Sequence, residues 1–263
     1  MPSLRKPLRL LLLLFVNVFD FALLLLAQAL LLPLKDLRRR VRNFMFRHWA
    51  KVSLRILGGR LAVEGTPPVA PFFLVSNHLS YVDVLVLGSC VEAFFIGKLE
   101  IRSWPLFGWL CRAAGTIFID RELRRDVVRV NSLVEDVLNR GFGIVLFAEG
   151  TSTQGDEVAP FRSSLLDFPV RQERAVHAAA ISYRTPAGEI PAHLGVCWWG
   201  DAPFFPHGWQ LLGLSSFEAT LRFSEHTAVS NDRKELGRKL HSLVVAEFQP
   251  VVSYEGRADD PGF

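Results

Sequence analysis

Read by the spacing of apolar and polar positions, the chain has two textures that meet at Gly58-Gly59. Leu10 to Leu32 is a 23-residue apolar run broken only by Asn17, Asp20 and Gln28, close to the roughly 20 residues that cross a bilayer as a helix. Asp20 near its middle is expensive in lipid, so a tilted or interfacial helix fits the pattern as well as a clean span. Ala27-Gln28-Ala29 resembles a signal cleavage site, but the apolar stretch is too long for that class and more leucine follows it. From Lys35 to about residue 58, Val41, Phe44, Met45, Trp49, Val52 and Ile56 recur at helical spacing between basic side chains. That is the pattern of an amphipathic helix on anionic lipid, or of a core helix with a solvated basic face.

Beyond Gly59 the apolar runs shorten. Those at 61–64, 72–76, 93–97, 115–119, 143–148, 176–183, 193–199 and 217–223 predict strands, and the patterns at 80–89, 103–113, 121–140 and 232–248 predict helices. Apolar strands alternating with helices predict an α/β fold over 61–254: a mostly parallel sheet flanked by helices, with its ligand site at one end of the strands. Residues 1–60 form a membrane-anchoring helical arm in this reading, and 255–263 a polar tail expected to be disordered.

Composition sharpens the division. Half of the 263 residues are hydrophobic and the mean hydropathy is +0.24, which favours membrane contact. Residues 1–60 hold twelve Lys and Arg against Asp20 and Asp36, a net of +10, whereas the remainder holds 18 against 24 acids, a net of −6. More basic residues follow the apolar run than precede it, which places the later part of the chain on the cytoplasmic side of an inner membrane. A basic arm flanking an apolar segment, joined to an acidic domain, is a poor nucleic-acid binder. Cys90, Cys111 and Cys197 are widely spaced in apolar surroundings, as expected of reduced core residues.

Chemistry concentrates where apolar runs end. After the run Phe72 to Val75, His78 falls in a turn and Ser80 is placed to cap a helix that carries Asp83. Five residues apart within one helix, the two would point about 140° away from each other; with His78 still in the turn they can meet. A carboxylate on one imidazole nitrogen fixes the tautomer and frees the other nitrogen to take a proton from a hydroxyl. A hydrogen-bonded core histidine at a strand end is the competing reading of these two residues. Further on, Lys98 and Glu100 follow one strand, Asp120 and Arg121 another, and Glu149-Gly150-Thr151 a third. A guanidinium there can clamp an anion, and glycine lets backbone approach a ligand. No serine has glycine two residues to each side, and no His-Glu-His helix pattern gathers a metal.

Together and in this order, NHLSYVD (77–83), GTIFIDR (115–121) and FAEGTST (147–153) resemble the glycerolipid acyltransferase family typified by 1-acylglycerol-3-phosphate acyltransferases, over roughly residues 60–225. The resemblance implies transfer of a fatty acyl group from acyl-CoA or acyl-carrier protein to the hydroxyl of a lysolipid, without metal or cofactor. It implies His78 as general base, Asp83 as its orienting carboxylate, and Lys98, Arg121, Glu149, Gly150, Thr151 and Ser152 as groups that bind the substrates. The first expected acceptor is 1-acyl-sn-glycerol-3-phosphate, giving phosphatidic acid. Two departures bear on that. Ala148 stands where the third motif usually has proline, and Ser152 where it has the arginine that would grip a phosphate. The runs GTSTQGDEVAPFRSSLLDF (150–168) and WWGDAPFFPHGWQLL (198–212) are similar to a branch that includes lyso-ornithine lipid acyltransferases, whose acceptor lacks a phosphate. A non-catalytic membrane-binding module would account for the arm but leaves His78, Asp83 and Glu149 without a task.

Overall fold

Two short runs, Phe73–Ser76 and Gly143–Phe147, are buried at every residue, which only strands covered on both faces achieve. The computed structural model describes residues 4–104, 107–120 and 123–252 and places these runs side by side near the middle of one seven-stranded sheet. Its strands are β1 (Gly59–Glu64), β2 (Phe73–Ser76), β3 (Ala93–Lys98), β4 (Ile117–Ile119), β5 (Gly143–Phe147), β6 (Val176–Arg184) and β7 (Phe217–Ala228), in the order β1-β7-β6-β2-β5-β3-β4. Every neighbouring pair is parallel except β6 with β7. The helices are α1 (Arg5–Leu30), α2 (Lys35–Ile56), α3 (Val82–Cys90), α4 (Phe107–Ala114), α5 (Arg124–Asn139), α6 (Asp167–Arg171), α7 (Ala192–Gly195), α8 (Phe204–Leu211) and α9 (Arg233–Glu247).

Strand alternation sends sequence neighbours to opposite cores. Leu74, Val145, Phe95 and Ile181 meet Ala50 and Leu54 of α2, Val82 and Val86 of α3 and Leu211 of α8. Phe73, Ile144, Ile96 and Ala180 meet Val130 and Val134 of α5 and Leu236, Leu240 and Val244 of α9 on the other face. Each such Leu, Ile or Phe contributes about 1.5–3 kcal/mol on burial, so both faces must be covered for the sheet to hold.

The predicted α/β architecture is therefore present, and several local expectations change. The strand expected at 193–199 is instead the single turn α7 followed by irregular chain. Its apolar character has another cause: Ala192, Val196 and Cys197 fill the core beneath α3, and Trp198 N donates to Leu79 O at 2.8 Å rather than to a neighbouring strand. The helix expected from Ser80 begins at Val82; Ser80 Oγ still accepts from Val82 N at 3.3 Å. The helix expected at 103–113 is a 3-10 turn at Leu99–Ser103 and then α4. The short helices α6 and α8 gave no periodic signal.

The face of α2 buried in the domain is centred on Asn43, Ala50, Ser53 and Leu54, while Phe44 is 70% exposed. Small side chains let α2 lie close to α3: a Cβ on Gly88 would stand 2.5 Å from Phe46 Cε1. Helix α1 contains no buried residue and is, among the described residues, the one helix long and apolar enough to cross a membrane. It is nonetheless fastened down. Arg5 Nη1 donates to Gly213 O at 3.0 Å, Arg9 Nη1 to Leu214 O at 2.6 Å and Arg9 Nη2 to Ser215 O at 3.1 Å. Trp49 of α2 donates to Asn17 Oδ1 at 3.2 Å.

Candidate active site

The parallel strands β2, β5, β3 and β4 all finish at one edge of the sheet. Ser76 is level with Phe147, Ile96 with Leu146, and Lys98 with Ile119. The chain leaves these strands as Asn77-His78, Ala148-Glu149 and Asp120, so the three motifs converge although 71 residues separate His78 from Glu149. Free strand-end backbone and polar side chains at one edge are where ligands of such sheets sit.

The loop from Asn77 to Tyr81 has its backbone groups engaged one by one. Beyond the end of β2, the Asn77 amide replaces the missing rung of the ladder: Oδ1 accepts from Ile181 N at 2.7 Å and Nδ2 donates to Ile181 O at 2.9 Å. His78 N donates to Glu149 Oε1, and His78 O accepts from Thr153 N at 3.0 Å. Leu79 N and Ser80 N both donate to Asp83 Oδ2, at 2.7 and 2.9 Å. The result is a stiff cradle rather than a free turn.

Within it, His78 Nδ1 lies 2.7 Å from the same Asp83 Oδ2. That oxygen is already gathering donors, so Nδ1 carries a proton toward it, and in the neutral ring Nε2 holds the free lone pair. Asp83 is fully buried and His78 is 22% exposed along its side chain. The imidazole lies flat on Phe147, ring centroids 4.2 Å apart and planes 14° from parallel. Its hydrogen bond and its stacking partner together leave one orientation. Asp83 Oδ1 accepts from Tyr183 Oη at 2.6 Å.

Glu149 is 3% exposed, and its two oxygens accept from His78 N and Ala159 N. Burial pushes its carboxyl up to about 8, opposed by those two backbone donors and assisted by nearby Asp83. Gly150 follows in the left-handed region at φ 81°, which turns the chain so that Thr151 is exposed and Ser152 partly so. Lys98 reaches the same edge from β3, separated from β2 by β5 and so roughly 10 Å away at ordinary strand spacing. Arg121 lies outside the described residues. The structure thus gathers His78, Asp83 and Glu149 into one hydrogen-bonded group, with Gly150, Thr151 and Ser152 on the adjoining turn and Lys98 at the end of β3, two strands along the same edge.

Asn77, Phe147, Trp198 and Tyr183 also build the site, and the sequence alone assigns none of them a role. Asn77 and Phe147 stand beside motif residues; for Tyr183 the faint signal is a polar tip in the apolar run Val176–Arg184. His207, one turn into α8, is 7% exposed and takes or gives a hydrogen bond with Tyr81 Oη at 3.0 Å, and burial holds its imidazole below the usual range. Among the described residues no group of three or more His, Cys, Asp or Glu is placed to hold a metal ion.

A family model for acyltransferases matches residues 60–182. Lyso-ornithine lipid O-acyltransferases of Rhodobacter capsulatus and Brucella abortus are each 34% identical to this chain. The first aligns over 63% of this chain and 60% of its own, the second over 86% and 88%. This chain belongs to the acyltransferase family. Within that family, a 1-acyl-sn-glycerol-3-phosphate acyltransferase of Neisseria gonorrhoeae is 32% identical over 74% of this chain and 77% of its own. The crystal structure of the 1-acyl-sn-glycerophosphate acyltransferase of Thermotoga maritima covers 94% of this acyltransferase with a TM-score of 0.69 at 19% identity, and 95% of its own chain is matched, a likeness of fold.

Proposed function

We propose that this acyltransferase is membrane-associated and moves a fatty acyl group from acyl-CoA or acyl-carrier protein to the hydroxyl of a lysolipid, with no cofactor. The observation that carries the mechanism is the 2.7 Å contact of His78 Nδ1 with buried Asp83. It directs the basic lone pair of Nε2 outward, where the acceptor hydroxyl loses its proton as its oxygen attacks the thioester carbonyl. The imidazolium so formed is stabilised by Asp83. Collapse of the tetrahedral intermediate breaks the C–S bond, and the proton passes to the departing thiolate. Glu149, with both oxygens occupied by backbone, holds the His78 loop against the Gly150 turn, and the exposed Thr151 and half-buried Ser152 offer hydroxyls to the acceptor.

Lyso-ornithine lipid is the acceptor we favour. Ser152 offers a hydroxyl where a phosphate-gripping guanidinium is expected, and the two lyso-ornithine lipid O-acyltransferases named above are 34% identical to this chain, one of them over 86% of it. Lysophosphatidic acid is the second reading, supported by the Neisseria relative and by Lys98 and Arg121 as remaining cations. The catalytic domain faces the cytoplasm in this proposal, because thioester donors are made there.

The test offers both acceptors and both donors to the purified protein in detergent. Acylation of lyso-ornithine lipid by the wild type, reduced about 10²–10⁴-fold in His78→Ala, is the expected result. Acylation of lysophosphatidic acid alone would move the acceptor to the second reading. Transfer to neither acceptor, or a His78→Ala protein as active as wild type, would overturn the mechanism.

A further inference from the structure

The Asp83 carboxylate has two oxygens, and the proposed mechanism uses one. Oδ2 serves His78 and the backbone of Leu79 and Ser80. Oδ1 is turned into the core, where Tyr183 Oη donates to it at 2.6 Å. Both groups are buried: Asp83 is 0% and Tyr183 4% exposed. A charged oxygen stripped of solvent needs a donor, and among the described residues the Tyr183 phenol supplies one to Oδ1.

The fold builds this contact deliberately. Strand β6 is level with β2 through Ser76 and Ala179 and then continues past its end. Ile181 meets the Asn77 side chain, and two residues later, on the same face, Tyr183 arrives under α3. Its ring is held edge-on against Phe217 at 6.0 Å, which fixes where the hydroxyl points. Burial and the adjacent carboxylate both push the Tyr183 phenol upward, so it stays a donor throughout the working range.

From this geometry we infer that Tyr183 is a positioning residue of the acyl transfer, extending the His78–Asp83 pair to a chain Tyr183–Asp83–His78. The inference rests on the function proposed above. Tyr183 does not touch substrate. It shares the negative charge of Asp83 and thereby sets how strongly the carboxylate attracts a proton onto His78. Too strong an attraction leaves His78 protonated and unable to act as base at neutral pH; Tyr183 draws charge away and keeps Nε2 available.

Tyr183→Phe tests this, because it removes one oxygen and leaves the ring on Phe217. Two readouts are followed against pH in the detergent-purified full chain: kcat/KM for acyl transfer, and the rate at which diethylpyrocarbonate modifies His78, read from the His78 peptide by mass spectrometry. The second needs no turnover. In Tyr183→Phe both acid-side midpoints should move to higher pH by about one unit, the size expected for one hydrogen bond to a charged group, with kcat/KM down about two- to fivefold at pH 7, more steeply below it, and recovering as pH rises. Thermal melting identifies a variant that has only lost stability. A folded Tyr183→Phe protein whose two midpoints coincide with wild type overturns the inference, whatever happens to its rate. If the modification midpoint moves while the wild type transfers no acyl group, the Tyr183–Asp83–His78 chain stands and the acyltransferase mechanism falls.

Discussion

Two buried carboxylates hold the site, and their substitutions should separate structure from chemistry. In Asp83→Asn the amide oxygen can occupy the Oδ2 position and still accept from Leu79 N and Ser80 N, while the amide nitrogen donates to Tyr183 Oη, whose hydroxyl rotates to receive it. The loop survives and the charge does not. Acyl transfer should therefore fall on the order of 10³–10⁴-fold, with stability lowered by no more than the about 1–3 kcal/mol of the phenol O–H that loses its acceptor, both measured side by side on the purified protein. Glu149→Gln behaves differently, since it must set an NH₂ group against either His78 N or Ala159 N. One backbone donor is left unpaired, at a cost of about 1–3 kcal/mol. The pH dependence follows from the elevated carboxyl. Its folded value, about 8, exceeds that of an unfolded glutamate, so its contribution to stability is complete below about pH 4.3 and is lost as pH rises toward 8. Urea unfolding should show the wild type's advantage over Glu149→Gln widest near pH 5 and narrower near pH 8.5. His78 and Asp83 were legible in the sequence because a turn followed by a helix start is a local geometry. Tyr183 was not, because its contact with Asp83 spans 100 residues and depends on how far β6 overshoots β2.

At the scale of elements, the strand runs were readable wherever burial is two-sided, as in β2 and β5. The run at 193–199 misled because a segment buried as irregular chain has the same composition as a core strand. The face that α2 buries was not legible for a related reason: Ser53 and Asn43 carry no apolar signal and Ala50 little, yet small size is what the α2–α3 contact requires. Gly88→Leu tests that contact. Its side chain would enter space held by Phe46 and should destabilise the fold by about 1–3 kcal/mol or more, read as a lowered urea midpoint. Gly150→Ala tests the turn that presents Thr151 and Ser152. A left-handed φ of 81° costs a residue with a Cβ roughly 1–2 kcal/mol, so the turn should shift, and the KM for the lysolipid should rise more than stability falls.

For the whole molecule, the charge division read from composition has a physical setting: the basic arm lies along one face of an acidic domain, with α1 against α2 and α2 against α3. The strand order was beyond reach of the sequence, because β7 enters late between β1 and β6 and no local pattern announces a long-range pairing. Sedimentation with vesicles checks the proposed membrane role. Full-length protein should bind vesicles containing anionic lipid; rising salt should weaken the basic-face component, and removal of residues 1–34 should abolish the salt-resistant remainder.

The grip of Arg5 and Arg9 on the 212–215 carbonyls carries that membrane role one step further. An anchor joined to its domain by a slack tether lets the domain wander above the surface. An anchor clamped at its first turn fixes the domain's height and tilt, so catalysis becomes a search in two dimensions. The quantity that sets the rate is then the mole fraction of lysolipid in the surface, not its molarity in the suspension. Diluting a constant amount of acceptor with inert lipid should slow the enzyme in proportion, and cutting the clamp with Arg5→Ala and Arg9→Ala should blunt that dependence while leaving His78 and Asp83 untouched.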